Sequence, residues 1–137
     1  MFTVAEFVAN LPHAQALGIE LVSLDAANGR CVLRQPWRED LVGDPETGII
    51  HGGVITVLLD TLGAACAMSR NIFPQATLDL RIDYLRPAAP KVALIGDAEC
   101  YRVTRRVAFV RGTCHQGDAA RAVANLTATF ILSESAR

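Results

Sequence analysis

Several kinds of function are excluded by what this sequence lacks. Lys and Arg total 13 against 14 Asp and Glu, a net charge of −1, which gives no electrostatic reason to expect a nucleic-acid partner. Hydrophobic residues make up 51% of the chain, yet no uninterrupted apolar run approaches the ~20 residues needed to span a bilayer, so the surplus points to a subunit interface instead. The N-terminal stretch MFTVAEFVANLP has no basic region ahead of an apolar one and carries Glu6. It does not read as a secretory signal, and a cytoplasmic protein is expected. Cys31, Cys66, Cys100 and Cys114 contain no Cys-x-x-Cys pair and are expected as reduced core residues. His13, His51 and His115 have no metal-ligand spacing, so no metal is expected. There is no internal repeat, low-complexity tract or linker, and 137 residues suit a single domain with a core of its own.

What is present is organised around His51 to Ser69, HGGVITVLLDTLGAACAMS. Between Gly53 and Met68 the only ionisable side chains are Asp60 and the thiol of Cys66. A helix apolar on nearly every side belongs inside the protein, wrapped by other elements. Asp60 is the anomaly: a carboxylate there must be paired, protonated or opened to a pocket. Helical spacing groups Gly53, Thr56, Val57, Asp60, Gly63, Ala64 and Ala67 on one face, mostly small residues that allow close approach by a ligand or a partner subunit. At the helix start, just after His51, the backbone amides of Gly52 and Gly53 and the positive dipole end favour a developing negative charge. Eight residues at ~1.5 Å rise put Asp60 roughly 12 Å from Gly52 along the axis. One small carbonyl cannot touch both, so a reaction using both requires a second, antiparallel copy of this helix across a symmetric dimer.

The chain before this helix predicts a short helix to about Asn10, with Thr3 as cap, Glu6 reaching back, and Phe2 stapled onto Phe7. Pro12 ends it, and His13 to Gly18 can add a turn. Ile19–Asp25 and Arg30–Gln35 read as strands joined through Asn28-Gly29. Pro36 to Gly48 reads as a polar, irregular loop. After the helix the period becomes two: Leu78, Leu80, Ile82 and Tyr84 should face the helix while Thr77, Asp79, Arg81 and Asp83 face away. Further strands are predicted over Lys91–Val103, Val107–His115 and Ala119–Leu132, with a frayed end from Ser133. Strands do not alternate with helices, which argues against a doubly wound fold. The expectation is α+β: an antiparallel sheet of about six strands curled round one long central helix, the hotdog architecture.

Three features together, His51-Gly52-Gly53, Asp60 nine residues after the histidine, and Asp83-Tyr84-Leu85-Arg86-Pro87-Ala88, resemble the hotdog-fold acyl-CoA thioesterases related to the phenylacetate-pathway thioesterase. The similarity covers nearly the whole chain. It implies hydrolysis of acyl-CoA to free acid and coenzyme A without a cofactor, in a homodimer that pairs again to a tetramer. It implies that the amides of Gly52 and Gly53 polarise the thioester carbonyl and that Asp60 from the opposing subunit is nucleophile or general base. Thr77 becomes a polar helper and His51 a supporting residue. Where many relatives place an asparagine in the loop before the histidine, this chain offers Asp44, as a water-positioning group or as a turn residue. Arg81, Arg86, Arg102, Arg105, Arg106 and Arg111 could form a basic rim for coenzyme A phosphates, or be solvated strand ends. Two other readings of the same fold are a hydratase or dehydratase of acyl thioesters and a non-catalytic acyl-CoA binding module.

Overall fold

The computed structural model describes residues 3–133. Helix α1 (Val4–Asn10) opens with the expected reciprocal cap: the Glu6 amide donates to Thr3 Oγ1 (3.1 Å) and the Thr3 amide to Glu6 Oε2 (2.8 Å). The predicted Phe2 staple and all but the first residue of the predicted frayed end lie outside the described residues. Helix α2 (Pro12–Leu17) takes Pro12 in its first turn, where a missing N–H costs nothing, and stops at Gly18 with φ +75°. Strands β1 (Glu20–Asp25) and β2 (Arg30–Gln35) form the expected hairpin, with Gly29 at φ +65°.

The segment before the long helix is more ordered than its composition predicts. A 3-10 turn (Glu39–Leu41) leads into a miniature hairpin of β3 (Val42–Asp44) and β4 (Ile49–Ile50). The Trp37 indole N–H, donating to Gly48 O (3.0 Å), ties it down. Helix α3 (Gly52–Met68) then runs unbroken for 17 residues. Strands β5 (Pro74–Tyr84), β6 (Leu94–Val103), β7 (Val107–His115) and β8 (Ala124–Leu132) complete a six-stranded antiparallel sheet in the order β1-β2-β6-β7-β8-β5. This is the hotdog fold: Leu58, Leu59, Leu62, Ala65 and Cys66 of α3 are fully buried against Leu33, Val110, Leu126 and Phe130 of the sheet. Each such leucine contributes about 2 kcal/mol of burial. Among the described residues, no helix is long and apolar enough to cross a membrane.

The structure corrects three details. Lys91 sits at φ +62°, outside any strand conformation, so β6 begins at Leu94 rather than Lys91. Ala119–Arg121 is a 3-10 turn capped by Asp118, whose Oδ1 accepts the Ala120 amide (3.0 Å), and β8 begins only at Ala124. Most consequential is a bulge in β5. Thr77 pairs with Phe130 but Asp79 with Thr129, so Leu78 is an extra residue on its strand. One inserted residue reverses the facing of everything beyond it. Leu78 is thereby turned outward, 54% exposed, and Thr77 joins Leu80, Ile82 and Tyr84 on the helix side.

The small-residue face of α3 is also narrower than helical spacing suggests. Gly63 and Ala67 are covered, and Gly53, Thr56, Val57, Asp60 and Ala64 form the partly open stripe. A Cβ on Gly63 would lie 2.6 Å from the ring of Phe130, which is itself buried. Gly63→Val should therefore destabilise the fold by about 2 kcal/mol through overpacking, measured as a lowered denaturant midpoint. All four cysteines are buried and unpaired. Contact with Cys31 and burial push the Cys66 thiol up, burial raises Cys100, and burial pushes Cys114 up to about 12. Since the thiolate is the reactive form, a thiol-specific colorimetric reagent at mildly alkaline pH should label none of the four in the native protein and all four after denaturation.

Candidate active site

The chemistry-bearing residues fall into two groups, one at each side of a rigid spacer. The first is the entry to α3. His51 is its N-cap, and its ring Nδ1 accepts the Gly53 amide (2.9 Å). A ring that accepts at Nδ1 carries its proton on Nε2, so His51 presents an N–H donor at its other edge. The His51 backbone is pinned to the preceding loop by its own amide donating to Leu41 O (3.0 Å), and the Val54 amide donates to His51 O (2.9 Å). That leaves the Gly52 N–H, which has no intramolecular acceptor among the described residues. It stands at the positive end of a 17-residue helix.

Tyr84 braces this amide from below, a role that the sequence analysis missed. Its hydroxyl donates to Gly52 O (2.9 Å) and lies 2.6 Å from Thr56 Oγ1. A Cβ on Gly52 would come within 3.3 Å of the Tyr84 ring. A side chain at position 52 would thus press on the Tyr84 ring, which would have to yield by a few tenths of an ångström. Only the strand-end pattern around Tyr84 could have pointed to it.

The second group surrounds Asp60, which is half-buried on the open stripe. Thr77 Oγ1 donates to Asp60 Oδ1 (2.8 Å), while Oδ2 has no hydrogen-bond partner among the described residues. The carboxylate is thus oriented by one oxygen and available through the other. Next to it, Thr61 Oγ1 meets His13 Nε2 at 3.0 Å. A cleft of about 330 Å³ opens beside Asp60 and Thr77, with Phe7, Leu11, Ala64, Phe73 and Phe130 supplying apolar walls. Of those wall residues the sequence placed only Ala64 beside Asp60, because α1, α3, β5 and β8 contribute to one surface only after folding.

The remaining candidates are placed less directly. Asp44 spends both oxygens in its own turn, accepting from the Glu46 amide (3.1 Å) and Thr47 Oγ1 (2.7 Å). Those bonds, Thr47 first, hold its carboxyl below the usual range. Arg81 is ion-paired with Asp83 (3.3 Å) and Arg111 with Glu99 (2.9 Å). Arg105 and Arg106 lie on the β6–β7 hairpin, at the end of the sheet where α3 finishes, about 25 Å of helix away from Gly52. Arg86 follows Tyr84 closely and has no ion-pair partner among the described residues.

An unpaired amide at a helix N-terminus suits an oxygen that gains charge, and an oriented carboxylate suits attack on the adjoining carbon or activation of water. Comparison with known proteins gives the family. Residues 47–123, spanning Gly52, Asp60 and Thr77, match the model of the thioesterase superfamily. The medium/long-chain acyl-CoA thioesterase YigI of Salmonella typhimurium is 30% identical over 92% of this chain and 88% of its own. A crystal structure from Pseudomonas aeruginosa, 38% identical, superposes with a TM-score of 0.81 over 93% of this chain and 95% of that one. A mutant of the phenylacetic acid degradation protein PaaI from Thermus thermophilus is 28% identical with a TM-score of 0.76, over 88% and 98% of the two chains. With helix, sheet and matched segment all in agreement, the chain belongs to the thioesterase superfamily and is a thioester hydrolase of the PaaI-like hotdog type.

Proposed function

We propose that this enzyme hydrolyses acyl-CoA thioesters at a site shared between two antiparallel copies of α3. The observation that carries this reading is the continuity of the helix: Gly52 and Asp60 lie on one unbroken rod, roughly 12 Å apart, so a single carbonyl reaches both only if they come from different chains. The exposed edge supports the same reading. β5 ends the sheet with its outer side unpaired, carries the outward Leu78, and adjoins the open stripe of α3. A second copy would cover both and remove an edge that is otherwise a liability.

In the proposed reaction the thioester oxygen accepts the Gly52 N–H, with the His51 Nε2–H near the same position. Gly53 contributes by holding the His51 ring. Asp60 of the partner subunit, oriented by its own Thr77, attacks the carbonyl carbon or takes a proton from the water that does. Charge developing on the oxygen is stabilised by the amide and the helix dipole, and collapse of the tetrahedral intermediate expels the coenzyme A thiolate. After direct attack, water hydrolyses the mixed anhydride left on Asp60 and releases the free acid; after attack by water, the free acid leaves on collapse and the proton held by Asp60 passes to the thiolate. The acyl chain lies in the apolar cleft beside Asp60. The buried, reduced cysteines suit a cytoplasmic setting.

Two measurements test this. Across a series of straight-chain acyl-CoAs, each methylene that enters the cleft should raise kcat/KM about fourfold, following ~0.8 kcal/mol per buried CH₂, until the cleft is full. No thiol release from any chain length would overturn the activity. Asp60→Ala and Gly52→Val should each lower turnover about a thousandfold as homodimers. Refolded together in equal amounts, they should form about half mixed dimers, each with one doubly damaged and one intact site, so roughly a quarter of sites recover. Absence of recovery, with mixed dimers confirmed by mass spectrometry, would mean that Gly52 and Asp60 act within one chain or that Asp60 is structural, and would overturn the shared site.

A further inference from the structure

The hydrogen bonds at the entry to α3 share one direction, and the reason lies in what each group can donate. Tyr84 has a single hydroxyl hydrogen, and it is committed to Gly52 O (2.9 Å), a carbonyl that can only accept. Thr56 Oγ1 lies 2.6 Å from the same phenol oxygen, so the hydrogen between them comes from Thr56. Its alternative acceptor, Gly52 O, is 3.4 Å away. At the other end of the Gly52–Gly53 peptide, the Gly53 amide donates to His51 Nδ1 (2.9 Å). The line therefore passes from the Thr56 hydroxyl to the Tyr84 hydroxyl, through one peptide unit, and into the His51 ring. It ends on Nε2–H, which has no partner among the described residues.

The ring is confined at both sides of this line. A Cβ on Gly53 would stand 2.9 Å from His51 Nδ1, and one on Gly43 of β3 would stand 2.9 Å from His51 Cα and 3.3 Å from ring atom Cδ2. The helix entry and the β3–β4 hairpin thus close on the histidine with Nδ1 turned to the amide. A peptide that accepts at its oxygen becomes a better donor at its nitrogen, because both changes favour the same resonance form. Aligned bonds of this kind strengthen one another by about 10–30% each.

We infer that Thr56 and Tyr84 are positioning residues of the reaction: through the Gly52–Gly53 peptide they hold the His51 proton on Nε2, where it is a second donor to the thioester oxygen beside the Gly52 amide. This deepens the thioesterase reading above and rests on it. Neither residue has to touch the substrate. Their effect falls on the transition state, because only there does the oxygen carry the charge to which a stronger donor responds.

Tyr84→Phe keeps the ring and removes one hydroxyl. It should lower kcat for acyl-CoA about tenfold with KM unchanged, and Thr56→Val should lower it about threefold, whereas Thr56→Ser, which keeps the donor, should retain full turnover. In a His51→Ala background Tyr84→Phe should cost nothing further, because the group it acts through is gone. Nitrogen NMR of protein carrying isotope-labelled histidine, recorded without substrate, supplies a readout that a merely structural role would not move. The His51 signals, assigned by their absence in His51→Ala, should place the proton on Nε2 in the unaltered enzyme and share it between both nitrogens in Tyr84→Phe. An unchanged kcat in Tyr84→Phe, an equal loss in the His51→Ala background, or a ring proton fixed on Nε2 in both proteins would each overturn the relay. The two readings fail separately. A proton that moves in Tyr84→Phe sustains the hold on the histidine even if no thioester is cleaved; acyl-CoA hydrolysed equally by both proteins, with the proton unmoved, removes the relay and leaves the thioesterase reading standing.

Discussion

The length and burial of one helix constrain everything else in this molecule. α3 is wrapped by the sheet, so its axis cannot bend or slide without opening the core around Leu58, Leu59 and Leu62. A rod held this firmly keeps its amide donor and its carboxylate at a fixed separation. That separation is too large for one carbonyl and well suited to two antiparallel copies. The proposed catalytic and oligomeric arrangements and the packing of the core thus all rest on the same 17 residues.

Each half of that rod is finished by a strand residue that holds it in working condition. Tyr84 reaches up from the end of β5 to donate to the Gly52 carbonyl, so the adjoining amide is left pointing outward. Thr77, near the start of the same strand, donates to one oxygen of Asp60. Regular alternation along β5 would place Thr77 and Tyr84 on opposite faces, since an odd number of positions separates them. The bulge at Leu78 is what allows one strand to serve both halves of the site. Its cost is an exposed leucine at the sheet edge.

Charge is distributed by the same logic of pairing. Most arginines on the sheet are neutralised by a neighbour across the ladder, as Arg30 is by Asp97 and Arg111 by Glu99. Such exposed pairs contribute little to stability, about 0–1 kcal/mol each. Their importance here is that they remove those side chains from the pool available to an anionic ligand. The guanidinium groups of Arg86 and Arg121, at the helix-entry end of the sheet, have no such partner among the described residues and line one cleft.

The residues by themselves determined the central helix, the capping box of α1, the strands of the sheet and the presence of two glycine amides and a carboxylate on one helix. These follow from local period, from capping chemistry and from the fixed rise of an α-helix, all of which act over a few neighbouring positions. Tertiary structure decided the rest. Thr77 meets Asp60 only because the β5–β8 register slips by one at Leu78. The Gly53 amide is taken by His51 while that of Gly52 has no acceptor among the described residues, because the β3–β4 hairpin fixes where the histidine ring lies. Arg121 joins Arg86 only because Val123 receives two amides from the end of β5. Each of these depends on how segments far apart in the chain register against one another, and a period of two or of 3.6 carries no information about that register.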